Sequence, residues 1–316
     1  MKKLKFILPV VAIFIACSEN DPDISLIDNS TPVLRTFSYK TYNSTTNAVN
    51  RTTVYTLQDN KMVSSTTSTS ALQQNNTTYS YSNNQISVIS TLIGGNLSSQ
   101  QSYSYNGNNK LIEYLHEYIH PTTQQSFFNR HTFTHTTDTI FSEWKQSSDG
   151  MNFNDLIATY KIVLDNNSNR TYFEKNDLSN NEINVRINRY DINDNLIAED
   201  HLIKDANNVL MNSQSTTITH ETSLNLLSLV YQNTYGKETL MLLYHLLQRS
   251  TPLNYFASKA ISNNSFKTFN ATFVGNSQIT FEFMNETGTN NYDYLNEYRT
   301  YNDGVLFSRF TVEFTE

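Results

Sequence analysis

Two pairs of histidines, each spaced four residues apart, carry the most suggestive chemistry in the chain. His116-Glu117-Tyr118-Ile119-His120 fits the pattern His-Glu-x-x-His, in which two histidines one helical turn apart hold zinc and the glutamate is the general base. That chemistry needs a helix. The segment follows Asn106-Gly107-Asn108-Asn109, is rich in Tyr and Ile, and runs into Pro121, so a strand is expected. On a strand, positions four apart share a face but stand ~13 Å from each other, too far to chelate one ion. His131-Thr132-Phe133-Thr134-His135 repeats the spacing. A hairpin centred between Gln125 and Ser126 would set His116 opposite His135 and His120 opposite His131, with Cβ atoms ~5 Å apart. Two such pairs on one face offer a metal site or a pH-sensitive patch; the alternative for the same residues is a solvated polar face.

Other constellations are weaker. Asp165-Asn166-Asn167-Ser168-Asn169 and Asp191-Ile192-Asn193-Asp194-Asn195 place oxygen ligands at alternate positions but lack the glycine and terminal glutamate of a calcium loop. They read as hairpin turns. Glu199 and Asp200 are adjacent, and neighbours on a strand point to opposite faces. No Gly-x-Ser-x-Gly elbow, phosphate-cradling loop or dinucleotide fingerprint occurs. No catalytic residue and no cofactor is assigned.

The elements that position these residues are β-strands. The chain holds 20 Tyr and 18 Phe against one Trp, with only 8 Gly and 5 Pro, and Asn clusters punctuate it. Aromatic and β-branched residues suit a pleated, half-buried surface, while Asn tolerates left-handed backbone and makes turns. Aromatic residues leading into a turn recur at Tyr55, Tyr81, Tyr105, Phe133, Tyr160 and Tyr190. Two strands at ~3.3 Å per residue plus two turns fill one interval, so each repeat reads as a β-hairpin. Two further copies, around Phe273 and Tyr301, resume the pattern, and Asp303-Gly304 sits between apolar runs as a hairpin signal. The fold class is all-β: an antiparallel meander of repeated hairpins forming one large curved sheet, in a single domain over 33–316.

Between the two β blocks the period changes. Leu240, Leu243, Tyr244 and Leu247 fall at helical spacing, and Met241, Leu242 and Leu246 make the other side apolar. A helical insertion over 223–250 is expected to pack against the sheet and supply much of its core, or to lie over a ligand groove as a lid.

Localisation is written at the start of the chain. Lys2, Lys3 and Lys5 precede a short apolar run, and Phe14-Ile15-Ala16-Cys17 resembles the lipobox of a bacterial lipoprotein, with Cys17 the acylated residue after removal of 1–17. Ten apolar residues are too few for a spanning helix, which needs ~20. The acidic stretch Ser18-Glu19-Asn20-Asp21-Pro22-Asp23 opens a tether over 18–32 and resembles the surface-export signal of Bacteroidota lipoproteins; an acidic spacer is the plainer reading. The expected setting is the outer membrane, at the cell surface, held through the N-terminal lipid. Of 22 basic residues, 19 remain after the signal against 29 acidic, and no basic stripe marks a nucleic-acid partner. With Cys17 acylated, no disulfide, thiolate metal site or cysteine nucleophile remains.

Tyr190-Asp191-Ile192-Asn193-Asp194-Asn195-Leu196-Ile197 resembles the core of a YD (Rhs-type) repeat, Tyr-Asp-x-x-Gly-Asn-Leu, with Asp194 at the glycine. Such hairpin repeats occur in Rhs toxins and teneurins, and degenerate forms occur in small Bacteroidota surface lipoproteins, the nearer likeness for a chain with about eight copies. The resemblance speaks to fold. Two function classes stand on these residues: a non-enzymatic surface lipoprotein that binds or scaffolds a glycan, an envelope component or a protein, and an extracellular hydrolase, metal-dependent through His116, His120, His131 and His135.

Overall fold

The computed structural model describes residues 33–42, 46, 48–69, 74–250, 262, 264–273, 278–287, 293–302 and 305–315. Val33–Glu316 forms one compact unit. Cys17, the tether over 18–32 and the Asp303-Gly304 turn lie outside the described residues.

Fourteen strands come first: β1 (Thr36–Tyr42), β2 (Val49–Gln58), β3 (Lys61–Thr69), β4 (Gln74–Ser82), β5 (Gln85–Ile93), β6 (Asn96–Tyr105), β7 (Leu111–Ile119), β8 (Ser126–His135), β9 (Thr139–Ser147), β10 (Asp155–Leu164), β11 (Arg170–Asp177), β12 (Glu182–Tyr190), β13 (Leu196–Asp205) and β14 (Leu210–Leu224). Helices α1 (Leu226–Tyr235) and α2 (Lys237–Ser250) follow, then β15 (Asn264–Phe273), β16 (Gln278–Thr287), β17 (Asp293–Asn302) and β18 (Val305–Thr315). Among the described residues, successive strands pair antiparallel throughout, giving one 18-stranded meander. β1 pairs with β2 on one side and with β18 on the other, Thr36 lying opposite both Thr56 and Thr315. The circuit of pairing returns to its start, so no strand of it is left as an unpaired edge open to other chains.

The turns explain why a glycine-poor chain makes so many hairpins. Asp59 and Asn60, like Asn83 and Asn84, take positive φ in two-residue turns, the conformation whose twist suits a hairpin. A second turn type spans five residues. In it Asp165 accepts from the backbone N–H groups of Asn167 and Asn169 at 2.9 and 2.8 Å, Asp191 from Asn193 and Asn195 at 2.9 Å each, and Asn106 and Asp205 do likewise. The fourth residue of each, Asn109, Ser168, Asp194 and Asn208, has positive φ. These Asx-type bonds hold the turn without metal, so the two alternating Asp/Asn motifs are turns.

The insertion is two helices. Asn225 caps α1 through its side chain, accepting from the Ser228 N–H at 3.2 Å, and Gly236 at φ 76 separates α1 from α2. The first residues of the expected insertion, Ser223 and Leu224, instead end β14. Leu226, Leu227, Val230, Tyr231 and Tyr235 of α1 and Leu240, Met241, Leu242, Leu243 and Tyr244 of α2 are all buried. They pack into one core with Phe37, Tyr55, Met62, Ile86, Leu111, Phe133, Ile162 and Leu196 from strands around the circuit. A helix apolar all round must be covered on every side. Here the meander's inner face does it, with α1 and α2 closing one end like a stopper.

Strand parity then separates two faces. On β4, Tyr79 and Tyr81 point to the core side, whereas Gln74, Asn76, Thr78, Ser80 and Ser82 are exposed. On β2, Thr53, Tyr55 and Leu57 are buried while Thr56 and Gln58 are exposed. Val54 excepted, the outer wall of these two strands is polar, the reverse of the apolar-out alternation of a lipid-spanning strand.

Candidate functional site

The histidine hairpin closes in a different register from the one expected. Tyr114 lies opposite His131 and His116 opposite Asn129, so the centre falls three residues earlier in the chain than the midpoint of Gln125 and Ser126. The reason is Pro121: lacking an N–H it cannot sit in the ladder, and Pro121 to Gln124 instead form the turn, with Gln124 at φ 57 and the His120 N–H donating to the Gln125 carbonyl at 2.9 Å. His120 therefore lies beside the turn, its Nδ1 accepting from the Thr123 N–H at 3.2 Å. His135 sits at the other end of β8, its Nε2 2.7 Å from the Leu111 carbonyl oxygen and its Nδ1 3.7 Å from Glu238 of α2. His116 is on a strand, as expected, and burial lowers its pKa. The four candidate ligands are thus spread along two strands, and among the described residues no group of three or more His, Cys, Asp or Glu is disposed to hold a metal.

What the strands do bring together is an internal polar wall. Residues directly opposite on neighbouring strands share a face, and one row on the core side runs Tyr103, Tyr114, His131, Trp144, Ala158, Asp177. The next rows carry Gln101, His116, Asn129 and Gln146, and Phe133, Ser142, Tyr160, Lys175 and Asn184. Away from the helices this face reaches solvent: Tyr118 and Phe127, paired across β7 and β8, are 40% and 42% exposed.

Trp144, the single tryptophan, is the centre of this wall and half-buried. Its ring stacks on buried His131 with centroids 5.7 Å apart, and its Nε1–H donates to Asn129 Oδ1 at 3.0 Å, an oxygen that also accepts from Gln146 Nε2 at 2.9 Å. The Lys175 ammonium stands 5.5 Å from the Trp144 ring and 2.5 Å from Asp177 Oδ2. Burial pulls the Asp177 carboxyl up, but hydrogen bonds from Lys175 and Ser179 outweigh it and hold its pKa at about 2. Farther round, Arg186 donates to Glu199 at 3.0 Å. His201 is lowered to about 4, by burial first and by the Arg186 charge second.

General acid–base work needs two groups whose surroundings push their pKa values apart around neutrality. Here Asp177 is locked ionised in a pair, Glu199 is engaged by Arg186, and His201 is neutral at pH 7. An aromatic ring amid amide, ammonium and carboxylate groups instead offers a stacking surface with fixed hydrogen-bond donors and acceptors. Sequence reasoning singled out the histidines and passed over Trp144, Asn129, Lys175 and Asp177, because their meeting depends on registers across four strands.

No family model matches the chain, and no curated protein matches it. Among solved structures it is similar to a porin-like protein from Bacteroides vulgatus ATCC 8482, at 12% identity and a TM-score of 0.43, over 90% of this chain and 99% of that one. A porin-like protein from Bacteroides uniformis ATCC 8492 is similar at 9% identity and a TM-score of 0.34, over 90% and 98% of the two chains. The YD-type resemblance finds no family model behind it.

Proposed function

We propose that this chain is a lipid-anchored lipoprotein of the cell envelope, tethered through Cys17 at the cell surface, with a non-enzymatic binding role. Its ligand is a polar molecule with an apolar ring face, the chemistry of a glycan, taken up by the inner wall around Trp144. The observation that carries the reading is the set of adjacent rows bringing Trp144, Asn129, Gln146, Lys175 and Asp177 onto one face that reaches solvent beyond the helices. Support for a tethered rather than inserted ring comes from the polar outer wall of β2 and β4. The N-terminal strand also starts beside the helix-filled end, where the Leu34 N–H donates to Asn60 at 2.8 Å and the Met62 N–H to Thr234 of α1 at 3.1 Å.

Because Trp144 is the single tryptophan, its fluorescence reports the site alone. Titrating soluble oligosaccharides, neutral and acidic, should give a saturable change in Trp144 emission with one panel member or class. Lys175→Met should weaken that binding about tenfold, the equivalent of one charged contact at ~1.4 kcal/mol. Emission unchanged across the panel, or equal affinity in Lys175→Met, would sink the glycan reading. Turnover of any oligosaccharide would move the site to the hydrolase class.

A further inference from the structure

Four hairpins that turn at the end away from the helices part in the same way where they meet the stopper. Their ladders stop at Ser64 opposite Thr78, Val88 opposite Ser102, Glu113 opposite Thr132 and Tyr172 opposite Ile187, while the strands themselves run on. Backbone groups that leave a ladder need other partners. In three of the four gaps a ring three residues past the last pair reaches back to the carbonyl two residues before it. Tyr81 donates to the Met62 carbonyl at 2.6 Å, His135 Nε2 lies 2.7 Å from the Leu111 carbonyl oxygen, and Tyr190 donates to the Arg170 carbonyl at 3.3 Å. Tyr105 holds the equivalent place relative to Ile86, but its hydroxyl makes no such bond and lies by Thr239 of α2 instead.

The unbridged gap between β5 and β6 is a cavity of about 210 Å³. Ile86, Tyr103 and Tyr105 form its apolar side, and Asn83, Gln85, Asn106 and Asn109, with Ser82 and Ser87, form the rest. None of these residues is charged. Two of the amides are fixed at one end by the wall itself. Asn106 Oδ1 accepts from the Asn108 and Lys110 N–H groups at 2.9 and 3.0 Å, and Gln85 Nε2 donates to the Asn109 carbonyl at 3.0 Å. What remains on these two lining residues is a donor, Asn106 Nδ2, and an acceptor, Gln85 Oε1, both oriented in advance.

We infer that this gap binds one neutral pyranose, a single sugar unit with adjacent hydroxyls. One hydroxyl accepts from Asn106 Nδ2 and its neighbour donates to Gln85 Oε1, while Ile86, Tyr103 and Tyr105 cover the C–H surface of the ring. Charge decides against an acidic or basic ligand, because a lining without countercharge would desolvate it uncompensated. Size limits the ligand to one unit, since sites for drug-sized molecules take ~300–1,000 Å³. The site is separate from the Trp144 wall and does not rest on the reading proposed for that wall.

The test is isothermal titration of the full chain, in a detergent without a sugar headgroup, with the methyl glycosides of glucose, galactose, mannose and N-acetylglucosamine, and with that of glucuronic acid as the charged counterpart. Wild type should bind at least one neutral glycoside saturably and more tightly than the glucuronide. Asn106→Asp keeps the oxygen that the turn uses, as Asp165, Asp191 and Asp205 do in theirs, and replaces only the donor; it should weaken binding about tenfold. Ser87→Phe, which fills the gap, should abolish binding, and Lys175→Met should leave it unchanged. No binding of any neutral glycoside, equal or tighter binding of the glucuronide, or wild-type affinity in Asn106→Asp would each overturn the site. Wild-type affinity in Asn106→Asp together with loss in Lys175→Met would overturn it and assign the sugar to the Trp144 wall, so the two readings fail separately.

Discussion

The two ends of the strand circuit are built on opposite principles. At the stopper end the inner face is largely aromatic and aliphatic, and hydroxyls there are tied to helix or backbone: Tyr81 donates to the Met62 carbonyl at 2.6 Å and Thr234 to the Val230 carbonyl at 2.8 Å. Tyr103, Tyr114, Tyr231 and Tyr235 gather there in ring contacts of 5.3–6.4 Å, and burial pushes Tyr55 up to about 12. Toward the other end the same strands turn Ser99, Gln101, Asn129, Lys175 and Asp177 inward. The backbone ladder is alike in both halves, so the difference lies in what the side chains must cover. Stability is concentrated where α1 and α2 fill the ring, and polar side chains line the half that they do not fill.

Substitutions sharpen that contrast. Leu240→Ala, in the centre of the stopper, should cost about 3 kcal/mol through lost burial and the cavity left behind, read as a lower denaturant midpoint at unchanged slope. Ser99→Ala, on the polar wall of β6, should stay within about 0.5 kcal/mol; equal effects at the two sites would erase the division. Lys175→Met should fall between them, at about 2 kcal/mol, by removing a charged hydrogen bond from Asp177. Its pH dependence has a definite sign. The Asp177 carboxyl sits at about 2 against an ordinary 3.8, so its contribution is complete above about pH 4 and fades as pH falls toward 2. The variant should lack that acid loss in melts between pH 4 and 2.

His201 should act in a higher window. Its pKa is depressed from 6.5 to about 4, so the native state resists protonation, and stability should decline as pH falls from 6.5 toward 4. His201→Gln should flatten this part of the profile in calorimetry. The smallest effect is expected at Asn208, an exposed turn residue at φ 64. Glycine there adopts positive φ without a Cβ penalty, and Asn208→Gly should change stability by no more than about 0.5 kcal/mol, toward gain.

How far this was legible differs by scale. The meander could be read because each hairpin declares itself locally: Tyr55, Tyr81, Tyr105, Phe133, Tyr160 and Tyr190 all lie on strands running into the turns at the stopper end. The Asp194 that stands where a YD repeat has glycine indeed takes positive φ, 61°, so that departure is met by an acidic residue held by Asn169 at 2.8 Å and Lys237 at 3.0 Å. The helices were legible from the switch to a period of 3.6, and their burial from apolar residues on both sides. Cross-strand chemistry was not. The histidine pairing failed on a four-residue turn set by Pro121, because a small change in the hairpin centre moves every partner. Arg170 carried no signal at all, since nothing in one strand's sequence announces that a ring from a distant helix, Tyr244, will lie over it.

The pairing of β1 with β18 joins Thr36 to Thr315 across 279 positions, with their hydroxyls 2.6 Å apart. In time rather than space, the strand that is synthesised first waits for the one that is synthesised last. Until then the growing meander carries two open edges, each a template for another chain. Long-range closure of this kind is slow, because the loop entropy is lost before the contact forms. A chain stopped short of β18 would keep nearly all its hairpins and still be unfinished, with its hazard being self-association rather than unfolding.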